Sequence, residues 1–310
     1  MRNGSAQNGK SRACGFDVTR PRVLVAIPVF NERKHVEDVL ERVLQIHPHV
    51  LVIDDGSTDG TAEVLPRFGV EILRHVQNRG YGASMRDAFR YAIAEKYDWL
   101  ITMDCDEQHE PAAIPAFVEA AARAEGVHHA DILSGSRYMR APGRDEIVPA
   151  DRRAVNAAMT EEINRRLGPS LGCDLTDSFC GFKAYRVSAL RALRPTVVGY
   201  AFPMQFWAQA AAARLRVTEL PVKLIYNDLN RTFGAALDDA SVRLAHYREV
   251  LHREIVKQGS RLPRAAVAGL EMGGREGTMH LDGPKEMRGS AAGCLGPVCA
   301  DDSGAGYAGA

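Results

Sequence analysis

The chain lacks most of what would tie it to nucleic acid, a secretory route or a membrane interior. Its 39 basic residues are matched by 39 acidic ones, so the formal net charge is zero and the pI is about 7.1. Proteins that hold nucleic acid normally show a basic face or excess, and none is expected here. Six cysteines, Cys14, Cys105, Cys173, Cys180, Cys294 and Cys299, are scattered without the C-x-x-C pairs of a metal site. With no secretory signal segment either, reduced thiols and a cytoplasmic setting are the simpler expectation. The longest uncharged stretch, Pro195 to Ala213, contains Gly199, Pro203, Gln205 and Gln209 and is rich in alanine. A membrane span needs about 20 predominantly apolar residues, so this stretch reads as a buried helix. No internal repeat is visible. A dinucleotide fingerprint is also missing: NRGYGAS offers only two glycines and follows Val70 to Arg74 rather than the first strand.

What is present suits one large globular domain: 310 residues, 45% of them hydrophobic, are enough to build its core. From Arg22 to about Asp131, apolar strands alternate with helix patterns at Val36 to Leu44, Ala62 to Arg67, Ala83 to Lys96 and Ala112 to Ala124. This predicts an α/β fold with a mostly parallel central sheet covered by helices on both faces. The second half adds an Asp151 to Leu167 helix, a GFKAYR strand, an Ala201 to Leu215 helix and an Arg216 to Tyr226 strand. These are expected to complete the sheet of a single domain over residues 21–258. Residues 1–20 are polar, and 259–310 are rich in Gly and Ala with few large apolar residues, so both read as disordered tails. Met139 to Pro149 reads as a loop, either a lid over the site or an ordinary surface connection.

The most informative run is MDCDEQHEP, residues 103–111. Side chains two apart on a strand share a face, so Asp104, Asp106 and Gln108 can meet one hard cation at the end of the Trp99 to Met103 strand. Mg²⁺ or Mn²⁺ prefers such oxygen ligands and leaves positions for phosphate oxygens. A D-x-D alone is weak evidence, being usually a polar loop. Two further strand ends accompany it. Val23 to Ile27 runs into Pro28, with Asn31 and Glu32 beyond; Val50 to Ile53 runs into Asp54 and Asp55, then turns at Gly56-Ser57 toward a helix capped by Asp59. Ligands of open α/β sheets lie beyond the carboxyl ends of the strands, so three acidic ends together suggest a site.

The succession IPVFNE, IDDGSTDGT, NRGYGAS, MDCDEQHEP, SGSRY, DSFCGFKAYR and GYAFPMQ resembles the family 2 inverting glycosyltransferases of the GT-A fold, over roughly residues 22–240. Within them it is most similar to dolichyl- or polyprenyl-phosphate mannosyl- and glucosyltransferases. The resemblance implies a hexosyltransferase that takes a nucleotide-sugar donor of GDP-mannose or UDP-glucose type and a polyprenyl-phosphate acceptor, with Mg²⁺ or Mn²⁺. It places Pro28, Phe30, Glu32, Ile53 and Asp55 around the nucleotide, with Phe30 where the family often has Tyr. It places Asp104, Asp106 and Gln108 at the metal and diphosphate, with Cys105 between them, and Arg137 and Arg231 near the donor. Asp174 and Asp177 fall near the acceptor loop, where turn capping is an equal alternative. For Arg137 the alternative is an ion pair, and for Cys105 a small buried residue.

Two departures bear on activity. Arg231-Thr-Phe-Gly234-Ala-Ala-Leu237 keeps the Arg and Gly of the family's Arg-x-x-Gly-x-Ser-Lys pattern but loses its Ser and Lys. Gln205 stands where relatives usually carry Glu. The implied chemistry is a single displacement at the anomeric carbon. An alcohol acceptor needs a general base, for which Asp177 is the candidate. A phosphate monoester, with its second pKa near ~6, is already anionic and needs none; Arg137, Arg152, Arg153 and Arg231 could meet its charge. A different acceptor, or a non-catalytic nucleotide-sugar-binding protein, remains an alternative. The Ser241 to Lys257 helix places Leu244, Tyr247, Leu251 and Ile255 on one stripe with basic residues beside it. Packing on its own domain is favoured over a peripheral contact at the cytoplasmic membrane face.

Overall fold

The computed structural model describes residues 20–106, 109–124, 129–140, 148–225 and 235–270. Three strongly apolar strands, β1 (Val23–Val29), β2 (Val50–Asp54) and β4 (Trp99–Thr102), form the middle of the sheet. Among the described residues the sheet has seven strands. β3 (Glu71–Arg74), β5 (Ile132–Ser136), β6 (Lys183–Arg186) and β7 (Val217–Pro221) complete it, in the order β3-β2-β1-β4-β6-β5-β7. All neighbours run parallel except β6, which is antiparallel to both β4 and β5. The expectation of a mostly parallel sheet holds.

Side-chain alternation along β1 divides the interior into two cores. Val23, Val25, Ile27 and Val29 face the side covered by α1 (Val36–Leu44) and α4 (Ile114–Arg123). Leu24 and Ala26 face the other side. There α3 (Tyr81–Ala94), α5 (Ala150–Leu171), α7 (Phe202–Ala212) and α8 (Ala240–Lys257) pack around Met159, Trp207 and Leu251. Short helices α2 (Thr61–Val64), α6 (Val187–Leu190) and α9 (Arg264–Val267) fill in the connections.

Several boundaries move for physical reasons. α5 continues through Gly168 and Pro169 to Leu171, because Leu167 and Leu171 both bury in the core. The Ala62 to Arg67 pattern becomes α2 followed by a 3-10 turn at Leu65–Phe68. Asp59 stands one residue ahead of the cap position, its carboxylate accepting from the Thr61 N–H. Packed structure runs past residue 258: Leu262 and Ala266 are buried, and Arg166 donates to the Ala266 and Ala268 carbonyls. Val267 and Leu270 pack against the same core. The stripe on α8 is spent internally, with Tyr247, Leu251 and Ile255 buried against α5 and α7. No helix among the described residues is long and apolar enough to cross a membrane.

Candidate active site

Chain order along the sheet reverses between β1 and β4, since β1 leads to β2 and β3 on one side and the chain then returns to β4 on the other. That reversal opens a crevice at the carboxyl ends. β1 delivers Pro28, Phe30 and Glu32 to this rim, all half-buried. β2, paired so that Pro28 faces Ile53 and Val29 faces Asp54, delivers Ile53, Asp54 and Asp55. The two turns are stitched together: the Asn31 N–H donates to Ser57 Oγ, the Glu32 N–H to Thr61 Oγ1, and the Thr58 N–H to Asn31 Oδ1.

Neither carboxylate after β2 is idle. Asp54 is fully buried, takes the Ser57 N–H and has Arg74 Nε at 3.0 Å. Asp55 accepts the backbone N–H groups of Arg79 and Gly80 at 2.8 and 2.7 Å and meets His75 Nδ1 at 2.5 Å. The His75 Nε2 in turn meets Asp87. Asp55 therefore organises the NRGYGAS turn at the head of α3. That turn is pressed against Val197 and Val198: a Cβ on Gly82 would lie 2.2 Å from the Val197 carbonyl oxygen, so only glycine fits there.

β4 ends beside β6. Asp104 follows it with its side chain one-third exposed, Cys105 is buried, and Asp106 is half-buried. Gln108, expected beside them, lies outside the described residues, as does Arg231. The Asp104 N–H donates to His109 Nδ1 at 2.9 Å. Nδ1 must therefore be unprotonated, and the ring proton sits on Nε2, facing Cys180 Sγ at 3.9 Å. Burial pushes His109 down to about 4, which keeps it neutral. The Asp104 carboxylate also lies against Gly181, where an added Cβ would come within 2.5 Å of Oδ2. Gly181 is held by its carbonyl, which accepts from Thr102 Oγ1 at 2.8 Å.

Arg137 and Asp177 form one unit. Arg137 Nε and Nη2 reach the two Asp177 oxygens at 2.6 and 3.0 Å. Asp177 is fully buried and also accepts from Asn156 Nδ2 and the N–H groups of Phe179 and Cys180. Burial alone would raise its pKa, but the Arg137 charge and these donors hold it down to about 2. A carboxylate so saturated is a very weak proton acceptor. The turn-capping reading accounts for its contacts, and these weigh against the general-base role read for Asp177. Arg137, in the same way, takes the ion-pair reading, in buried rather than surface form.

Lys183, from β6, went unnoticed in the sequence. It is buried under the rim, donates to the Cys180 carbonyl and lies 5.4 Å from the Trp207 ring; burial lowers its pKa. Its signal was a lysine opening a short strand. The two departures also find their places. Gln205 Oε1 accepts the Thr196 and Val197 N–H groups, while its Nε2 donates to Glu254 at 2.9 Å. Gln209 donates to the same carboxylate. A glutamate at 205 could not donate to Glu254, so the amide belongs with this partner. Leu237 is buried, and its carbonyl accepts from Arg243.

Residues 24–194 match the Glycosyl transferase family 2 domain. The chain belongs to that family. It is 30% identical over 239 residues to an undecaprenyl-phosphate mannosyltransferase of Micrococcus luteus, covering 73% of this chain and 93% of the relative. A polyprenol monophosphomannose synthase of Mycolicibacterium smegmatis is 28% identical, with 73% and 86% covered. Among solved structures, glucosyl-3-phosphoglycerate synthase from Mycobacterium tuberculosis, in complex with Mn²⁺, UDP and glucosyl-3-phosphoglycerate, aligns at a TM-score of 0.57 and 19% identity. That alignment covers 78% of this chain and 81% of the other. The fold is therefore GT-A, and the protein is a hexosyltransferase.

Hard carboxylate oxygens at 104 and 106 suit a divalent cation. Among the described residues no three His, Cys, Asp or Glu side chains gather into a metal-holding group. Two protein carboxylates with the remaining positions filled by phosphate oxygens is the arrangement a cation shared with a nucleotide takes, so the residues fit the group.

Proposed function

We propose that this glycosyltransferase moves a sugar, with inversion, from a nucleotide-sugar to a polyprenyl phosphate, using Mg²⁺ or Mn²⁺. The observation that carries the reading is the Asp104 carboxylate, set at the end of β4 and partly open to the crevice between β1 and β4. Asp104 and Asp106 would hold the cation with the donor diphosphate. When bound, the cation supplies Lewis-acid stabilisation of the leaving group. Pro28, Phe30, Glu32 and Ile53 line the nucleotide side, and Asp55 acts there by fixing the Arg79-Gly80 turn.

The state of Asp177 favours a phosphate acceptor. With that carboxylate held down to about 2, the one general base suggested by the sequence is a weak proton acceptor. A phosphate monoester attacks the anomeric carbon without one, being already anionic near neutral pH. The phosphate oxygen forms the new bond to carbon as the diphosphate departs from the opposite face. Arg152, Arg153 and Arg231 are the cations proposed for the acceptor. The named activities of the Micrococcus and Mycolicibacterium relatives, both polyprenyl-phosphate mannose transfer, support this acceptor, and a peripheral contact at the cytoplasmic membrane face goes with it.

The test is nucleoside diphosphate release from GDP-mannose and UDP-glucose, with Mg²⁺ or Mn²⁺, with and without a short-chain polyprenyl phosphate. Release that needs metal and lipid phosphate together, from one donor, supports the reading and names the sugar. Donor binding without release turns the assignment to another acceptor or to a non-catalytic binding protein.

A further inference from the structure

Asp104 is met at its backbone by one group and at its carboxylate by another, neither with an evident role in binding substrate. Its backbone N–H is taken by His109 Nδ1 at 2.9 Å, and its carboxylate rests where Gly181 has no side chain. Both contacts are themselves anchored. His109 is 5% exposed and packed edge-on to Phe182, with ring centroids 5.6 Å apart. Its Nε2 faces Cys180 Sγ. Gly181 is tied to β4 through Thr102 Oγ1, at the point where Thr102 pairs with Lys183 across β4 and β6. The turn after β4 is thus held at its backbone by an imidazole acceptor and borders a missing methyl at its carboxylate.

We propose that His109 and Gly181 are positioning residues that pre-set the Asp104 carboxylate for a divalent cation. The proposal rests on the metal-dependent reading above. The imidazole acts only as a hydrogen-bond acceptor for the turn, through Nδ1. Gly181 acts through space: any Cβ there pushes the carboxylate away from its present seat. Groups that orient metal ligands typically change metal affinity by about 10–100-fold when altered.

Atom-selective variants test this. Asparagine at 109 places its amide oxygen near the Nδ1 position, whereas glutamine places its polar atoms near Nε2. Binding of Mn²⁺ is read from loss of the free-ion electron paramagnetic resonance signal, on the full chain with saturating GDP and, separately, UDP. Thermal midpoints are measured in parallel. His109→Asn is expected to bind close to the wild type, while His109→Gln and Gly181→Ala weaken Mn²⁺ about 10–100-fold. Wild-type Mn²⁺ affinity in His109→Gln and Gly181→Ala, with binding lost in Asp104→Ala, would overturn the positioning roles and leave the metal site standing. His109→Asn as weak as His109→Gln would overturn the Nδ1 role even if Gly181→Ala fails to fold. No Mn²⁺ binding by the wild type with either nucleotide would remove the metal reading and this proposal with it.

Discussion

Replacing Arg137 by methionine should unfold the protein more readily before it says anything about donor binding. The side chain is one-tenth exposed and its partner Asp177 not at all, so the variant strands a carboxylate in the interior. Asn156, the N–H groups of Phe179 and Cys180 and the Lys183 charge remain, but none replaces the two-pronged guanidinium contact. Breaking a buried pair from one side costs about 3–5 kcal/mol. At the lower figure the thermal midpoint of a domain of this size falls by about 6–12 °C. Acidity supplies the sign. Asp177 titrates at about 2 in the folded protein, below the ~3.9 of an unfolded aspartate. Its stabilisation is therefore complete above pH ~4 and fades as pH falls toward 2. The gap in midpoint between wild type and Arg137→Met, followed by calorimetry, should be widest near neutrality and narrow below pH 4. Adding Asp177→Asn to the variant should restore part of the midpoint, because the stranded charge is gone. An Arg137→Met protein with an unchanged midpoint but abolished turnover would refute this reasoning and return Arg137 to the donor.

Other outcomes follow from the same contacts. Asp104→Asn combined with Asp106→Asn should abolish metal-dependent nucleoside diphosphate release while leaving the circular dichroism spectrum unchanged; undiminished turnover would refute the site. Gly82→Ala forces a methyl against the Val197 carbonyl and should cost about 1–3 kcal/mol, read by urea denaturation. Gln205→Glu sets a second carboxylate against Glu254, so it should lower the midpoint at pH 8 and recover toward pH 5.5 as one of the pair takes a proton. Cys180, buried with its thiol pushed up to about 11, should resist iodoacetamide at pH 7.5 in the folded protein and react once guanidinium is added.

The donor half was legible because its information is local. Apolar runs ending in Pro28, Asp54 and Asp104 announce buried parallel strands and their carboxyl ends within a few residues, and the α1 pattern fixed its bounds as observed. The acceptor half was less so. The reversed direction of β6 depends on β4 and β5 flanking it, which no period within GFKAYR encodes. Asp177 looked like a base because its fate is decided by Arg137 and Asn156, 40 and 21 positions away. His109 and Gly181 lie within MDCDEQHEP and DSFCGFKAYR, yet their meaning arises only when two distant turns meet at Asp104. Gln205 read as a lost carboxylate until Glu254, 49 positions on, supplied the reason for an amide.

The reversed strand has a consequence for the kind of chemical group the crevice can show. A rim made only of strand endings offers outgoing carbonyls and whatever acidic side chains follow them. Because β6 enters the sheet where β4 leaves it, a strand beginning stands next to a strand ending. The incoming turn aims its Phe179 and Cys180 N–H groups at a negative charge, one strand away from the carboxylates of β4. That charge is Asp177, already satisfied inside the protein, so a spent acid and the open acids of β4 stand at the spacing of neighbouring strands, ~4.8 Å. Of the acids brought to this edge, the reversed strand thus silences one and leaves the pair after β4 to meet a positive ion.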